Sequence, residues 1–212
     1  MFSHPTRPNT NPKHRRKSLS LASVALAALG ALLLASSASA ASTTCPATTT
    51  STPFASWGDT SSYSLVPGGS FEASPTGWTL SGAASRVAGS DPFAITGSLG
   101  SSALEIPAGS SAESPFMCVE GTERTYRFMA HSQGAGAIIL PELVYETALG
   151  NVTIPGKLIT VKSGWEPSPI LHTGALLVTA VTGESAHLAL HFTTLVGKAV
   201  IDDVYLDPRM RR

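Results

Sequence analysis

After residue 53 the chain has almost no apolar run at helical spacing, and in its place short β-branched and aromatic segments recur between Gly, Pro, Ser and Asn clusters. Thr125 to His131 sets Tyr126 and Phe128 against Arg127, Met129 and His131, the period of a half-buried strand. Ala137 to Tyr145 runs apolar to Leu140, is broken by Pro141 and resumes as Leu143-Val144-Tyr145, so Pro141 marks an edge or a bulge. Further strands are expected over Tyr63–Val66, Trp78–Ser81, Ala103–Ile106, Pro115–Val119, Lys157–Val161, Ala175–Val181, His187–Thr193 and Ala199–Leu206. Such a set folds as an all-β, two-sheet antiparallel sandwich of jelly-roll type.

Residues 1–40 read as a signal peptide. Lys13, Arg15, Arg16 and Lys17 precede an uncharged stretch from Leu19 to Leu34, and Ala38-Ser39-Ala40 supplies the small residues of a cleavage site. Ser20 and Ser23 interrupt the apolar run, which is shorter than the roughly 20 residues of a bilayer span, so no membrane span is expected after cleavage. Arg15-Arg16 is followed by Ser18 where a twin-arginine signal places an aromatic, which favours the general secretion route. Five of the fourteen basic residues leave with this segment and all fourteen acidic ones stay, giving 9 − 14 = −5. An acidic chain without a basic stripe excludes a nucleic-acid partner.

What remains, 212 − 40 = 172 residues, suits one domain. It divides into a Ser/Thr-rich lead-in over 41–62, a sandwich over 63–208 and a basic tail over 209–212, and nothing in it fixes an oligomeric state. Its two cysteines, Cys45 and Cys118, enter an oxidising compartment and are expected to pair, which would tie the lead-in to the body. Free thiols or a two-cysteine metal site are the alternatives, the latter lacking the four ligands zinc prefers.

Two segments carry a family likeness: Leu65-Val66-Pro67-Gly68-Gly69-Ser70-Phe71-Glu72 followed by Trp78, and Ile201-Asp202-Asp203-Val204-Tyr205-Leu206 near the end. Together they resemble carbohydrate-binding modules of the family-4, family-9 and family-22 type, within the galactose-binding-like jelly rolls. There an opening N-G-x-F-E … W strand and a closing (I/W)DDV strand lie side by side. Trp165-Glu166-Pro167-Ser168 is similar to a Trp-containing strand start in the middle of such modules. Gly68 departs from the pattern, which has Asn there, and no aromatic matches a ligand platform of the family. The resemblance implies a non-catalytic module that binds polysaccharide or a cell-wall glycan.

Glu72, Asp202 and Asp203 form the main constellation of charge. Buried carboxylates repel unless paired or metal-bound, calcium takes such oxygen ligands, and the related modules often hold a structural calcium near this junction. Alternation along a strand would send Asp202 and Asp203 to opposite faces, leaving one for the ion; the alternative is no cofactor, with hydrogen bonds from neighbouring backbone amides or an arginine partner.

Sugar contacts need aromatic faces and planar polar groups on an exposed surface. Trp78 and Trp165 have the right chemistry but sit where core packing is expected, so Arg127, His131 and Tyr145 are the candidate ligand-binding set. His187 and His191 share one strand face about 13 Å apart, too far to hold one ion. Asn151-Val152-Thr153 has the form of a glycosylation sequon, relevant only in a eukaryotic secretory pathway. Gly68-Gly69-Ser70-Phe71-Glu72 lacks the last Gly of a nucleophile elbow and reads as a turn. No catalytic residues are expected. A structural or adhesive extracellular protein is the alternative, then an unrecognised hydrolase, which would need two carboxylates of raised pKa in a concave pocket.

Overall fold

The computed structural model describes residues 45–74, 77–121, 125–175 and 185–207. The expected signal peptide, the basic tail and residues 176–181 of one expected strand lie outside them. Strands run β1 (Ser64–Leu65), β2 (Thr79–Ser81), β3 (Ser85–Ala88), β4 (Ser102–Pro107), β5 (Ser111–Glu113), β6 (Met117–Glu120) and β7 (Thr125–Ser132). They continue as β8 (Ala137–Thr147), β9 (Gly150–Pro155), β10 (Ile159–Val161), β11 (Glu166–Pro167), β12 (Leu171–His172), β13 (Ser185–Val196) and β14 (Lys198–Leu206). One sheet has the order β11-β7-β14-β4-β3, with β1 on β14 and β12 on β7. The other has the order β10-β8-β13-β5-β2, with β6 on β13 and β9 on β8. Every named pairing is antiparallel, as the strand rhythm predicts.

Alternation decides what fills the space between the sheets. On β7, Tyr126, Phe128 and Ala130 point inward; on β13, Ala186, Leu188, Leu190 and Phe192 do. Phe128 and Trp78 both meet Phe192 there, in edge and stacked contacts at 5.0 and 6.3 Å between ring centroids. Each such side chain, fully buried, contributes about 1.5–3 kcal/mol. Trp78 is therefore a core residue, and its indole N–H donates to the Pro67 carbonyl at 2.9 Å.

Pro141 takes the locally free side of β8. Its carbonyl accepts from Gly156 N–H at 2.8 Å between the end of β10 pairing at Ile139 and the start of β9 pairing at Glu142. Its missing N–H faces that gap, where no ladder bond is lost.

A second apolar cluster, absent from the sequence reading, lies outside the first sheet. Phe54, Tyr63, Met129 and Tyr205 are buried together, with Ile95 and Trp165 packed on them. The expected lead-in is thus part of the body from residue 53 onward, capped by a short 3-10 turn over Ala55–Trp57. The disulfide forms as expected between Cys45 and Cys118, and Cys45 N–H donates to Glu120 at 2.9 Å.

Candidate functional site

The opening and closing segments do lie side by side. Ser64 pairs with Leu206 and Leu65 with Tyr205. Beyond them, Val66 N–H donates to Val204 O at 2.9 Å and Val204 N–H to Gly69 O at 3.0 Å. A Cβ at Gly69 would stand 2.9 Å from the Val204 carbonyl, so only glycine lets the turn come this close. Gly68 has φ +70°, a region that Gly and Asn reach most readily, which accounts for glycine at this position.

This contact bends β14. Its register slips between Asp202 and Tyr205, and Asp203 has φ +49°. The bulge overturns the expectation that the two aspartates face opposite ways, because one extra residue resets the alternation. Both side chains are buried, and with Asp91 they place carboxylate oxygens within 4.8 Å of one another. Ser90 Oγ–H and Asp91 N–H donate to Asp202 Oδ2 at 2.7 and 3.2 Å, and Asp203 N–H donates to Asp202 Oδ1 at 2.9 Å. Burial pushes the Asp202 pKa up to about 7, and burial together with the Asp202 charge raises that of Asp203. Three buried carboxylates at this spacing form a hard oxygen donor set that fits a calcium-like ion; without a cation, a proton must stand in.

Glu72 does not join them. Its carboxylate accepts from Ser101 N–H at 2.7 Å, Ser101 Oγ–H at 2.8 Å and Ser102 N–H at 3.1 Å, pinning the entry to β4. Asp91 takes the place that the sequence reading gave to Glu72. Nothing in Ser90-Asp91-Pro92 beyond a turn signal ties it to the closing strand, 111 residues away.

Two of the three candidate ligand residues are interior. Arg127 does point out of its sheet, but the segment over residues 53–63 covers it: its guanidinium bonds Asp59 at 2.9 Å and the Ser168 carbonyl at 2.7 and 2.9 Å, and lies 4.6 Å from the centre of the Phe54 ring. Tyr145 points into the core, and its hydroxyl donates to the Thr173 carbonyl at 2.7 Å. Reading Tyr145 as outward put the phase of β8 one residue off, a slip that Pro141 invites. His131 is half-buried, 4.4 Å from Trp165 between ring centroids.

The second sheet's outer face carries no comparable apolar cluster among the described residues. Opposite the inward set, β13 turns out His187, Ala189, His191 and Thr193, and β8 turns out Glu142, Val144 and Glu146. Register builds two rows across this face. In one, Thr79, Glu113, His191 and Glu142 stand abreast; in the next, Ser81, Ser111, Thr193 and Leu140 do. His191 Nδ1 lies 3.0 Å from Glu113 and Nε2 3.9 Å from Glu142, while His187 Nδ1 is 2.7 Å from Glu146. The strand reading of these histidines holds, and each has its own carboxylate partner. An open depression of about 580 Å³ adjoins Glu146 and His187.

No protein-family model matches the chain, and no curated protein matches it. Solved structures do. The Clostridium thermocellum endo-1,4-β-D-xylanase 10B fragment with its family-22 carbohydrate-binding and catalytic modules, complexed with xylohexaose, aligns at 17% identity and TM-score 0.49 over 66% of this chain and 27% of that one. This chain therefore spans about a quarter of that structure's length. A family-11 carbohydrate-binding module from the same organism, in complex with a mixed-linked tetrasaccharide, aligns at 14% identity and TM-score 0.46, over 68% of this chain and 95% of that one. The family-22 xylan-binding domain of a Paenibacillus barcinonensis protein gives 12% identity and TM-score 0.47, over 67% and 93%. The folds this chain is similar to are those of carbohydrate-binding modules, while its own fold assignment rests on the strand pairing above.

Proposed function

We propose that this chain is a secreted, non-catalytic β-sandwich that binds an extracellular or cell-wall polysaccharide across the open face of its second sheet. Asp91, Asp202 and Asp203 hold a structural calcium ion in this reading. The carrying observation is the contrast in cover. The first sheet's outer face is sealed by Phe54, Tyr63 and Trp165, whereas the second presents carboxylates, imidazoles and hydroxyls in register. Mutual hydrogen bonds fix those groups in advance, which lowers the ordering cost of gripping sugar hydroxyls. Export rests on the leader-like segment and the disulfide, and among the described residues no helix is long and apolar enough to cross a membrane. The carboxylates with raised pKa, Asp202 and Asp203, are buried together rather than set in a cleft, so they support a structural role over an acid–base one.

Affinity electrophoresis and calorimetry against a panel of soluble polysaccharides test this. Retardation by at least one polymer, weakened in His191→Ala, is the expected result; no shift and no heat with any of them would end the glycan reading.

A structural or adhesive role has its own support. Trp57 and Phe93 are 37% and 47% exposed and touch edge to face at 5.0 Å and 87°. Perpendicular rings give a sugar no common plane to stack on, but they suit an apolar protein contact. Sedimentation showing self-association that Trp57→Ala abolishes would favour this second reading.

A further inference from the structure

The charge on the open face narrows what can lie there. Four carboxylates point outward from its strands: Glu113 on β5, Glu120 on β6, and Glu142 and Glu146 on β8. Two imidazoles accompany them, His187 and His191 on β13. Among the described outward positions of β2, β5, β6, β8, β9, β10 and β13 there is no Lys or Arg. Even with both imidazoles protonated the sum is 2 − 4 = −2, so the face is negative whatever their state. An anionic polymer such as a polyuronate or a polyol phosphate would meet like charge across its whole length.

Among the described residues, most cations lie on the first sheet, and Lys157, between β9 and β10, is the nearest to this face. Arg86, Arg127 and Lys198 stand on strands of the first sheet, and Lys162, just after β10, is held by Glu166 of the first sheet at 3.1 Å. Among the described residues, the cations borne on strands are thus confined to the first sheet.

The carboxylates are also set at fixed intervals along and across the strands. Glu142 and Glu146 are four residues apart on one strand, about 13 Å, and Glu113 stands across β13 from Glu142. Fixed acceptors at such intervals fit a chain with repeated donors. Charge-assisted N⁺–H···O⁻ bonds are roughly twice as strong as neutral ones, so ammonium groups on such a chain gain most.

We propose that the open face takes a cationic glycan, a polysaccharide of amino sugars with free amines, gripped through Glu142, Glu146 and Glu113. This rests on the glycan-binding reading above and specifies its ligand class. The test uses the full secreted chain and two hexasaccharides that differ only in charge: a glucosamine hexamer with free amines and its fully N-acetylated counterpart. The free-amine hexamer is expected to bind at least tenfold more tightly, and its affinity to fall as salt rises, as screening requires. Glu142→Gln should reduce that affinity at least threefold, while Glu166→Gln, which removes the same charge from the first sheet, should leave it unchanged.

Equal binding of the two hexamers, or equal loss in both variants, overturns the inference while the glycan reading stands. Equal affinity for a lysine hexamer makes the face a basic-peptide surface and overturns it as well. Binding to neither hexamer overturns it, and the polysaccharide panel then decides separately whether any glycan binds.

Discussion

The two outer faces of the sandwich start from the same strand pattern and end differently. Outward positions of β7 and β14 (Arg127, Met129, Tyr205) are sealed under Phe54 and Tyr63, whose rings meet edge to face at 5.2 Å. Outward positions of β8 and β13 remain uncovered by such a segment and set Glu142, Glu146, His187 and His191 around the smaller Val144, Ala189 and Thr193. Alternation alone does not distinguish a strand face that meets water from one that meets another segment. The covering segment is what differs, and it decides which polar side chains are structural.

Breaking the sealed face should have the largest effect. Arg127 and Asp59 form a buried pair at 2.9 Å with side chains only 9% exposed, and Tyr63 Oη–H also donates to Asp59 at 2.8 Å. Burial works against the Asp59 carboxylate, but its hydrogen bonds from Tyr63, Ser61 and Arg127 outweigh that and hold its pKa below the ordinary range. Arg127→Ala strands this charge and removes the cation over Phe54, at a cost of about 3–5 kcal/mol. That amounts to a fall in Tm of roughly 6–20 °C. Arg127→Met with Asp59→Asn should recover much of it, since an uncharged pair leaves no lone buried ion. A Tm for Arg127→Ala within 2 °C of the parent would show that the seal carries no such energy.

Next in size is the disulfide. Cys45 and Cys118 are 73 residues apart, and a bridge of this kind is typically worth about 2–4 kcal/mol. Reduction releases the chain that leads into Phe54, so dye binding to newly exposed apolar surface should rise along with the loss of stability. Loss of stability without dye binding would mean that the seal holds without its anchor.

Much of this was legible in residue order, and the misses have physical causes. Strand positions, the inward sets on β7 and β13, the disulfide and the contact between the Phe71 and Val204 segments followed from alternation and motif. The short strands β3 and β5 escaped because Ser85–Ala88 and Ser111–Glu113 lack the β-branched, aromatic density that marks a strand, and β9 escaped although Val152-Thr153-Ile154 is β-branched, because Asn151-Val152-Thr153 was read only as a sequon; all three are held by their neighbours. Arg127 was assigned outward correctly, yet its cover comes from a segment whose Ser/Thr-rich start disguises Phe54. Asp91 was missed because a long-range carboxylate contact leaves no local periodicity, and the phase of Asp203 was missed because a bulge is a tertiary event.

The acidic trio gives an effect of intermediate size, with a sign that can be checked. In the absence of metal, Asp202 and Asp203 hold raised pKa values, so the folded state binds protons that the unfolded state releases near pH 4. Their contribution is complete at low pH and is lost as pH rises through about 7, and with a chelator Tm should fall over that range. At the proposed calcium site the ion would replace the protons, so added calcium should stabilise more at pH 8 than at pH 5. At a hundredfold excess over Kd the gain is about 2.7 kcal/mol, or roughly 5–10 °C. Asp91→Asn should blunt that response and Glu72→Gln should not. Calcium stabilisation equal at both pH values would place the ion elsewhere.

The open face should show the smallest change in stability. His187 and Glu146 have side chains 57% and 54% exposed, and their contact at 2.7 Å is worth about 0–1 kcal/mol in water. Glu113, His191 and Glu142 are less exposed at 29%, 25% and 21%, but they rest on a sheet already closed by Leu188, Leu190 and Phe192 beneath. Glu146→Gln should shift stability by no more than about 0.5 kcal/mol and Glu142→Gln by about 1 kcal/mol or less. A larger loss would mean that this face has a packing role of its own, and the contrast between the two faces would disappear. Small losses would show that Glu113, His191 and Glu142, aligned across β5, β13 and β8, add little to stability, in contrast to the sealed pair of Arg127 and Asp59.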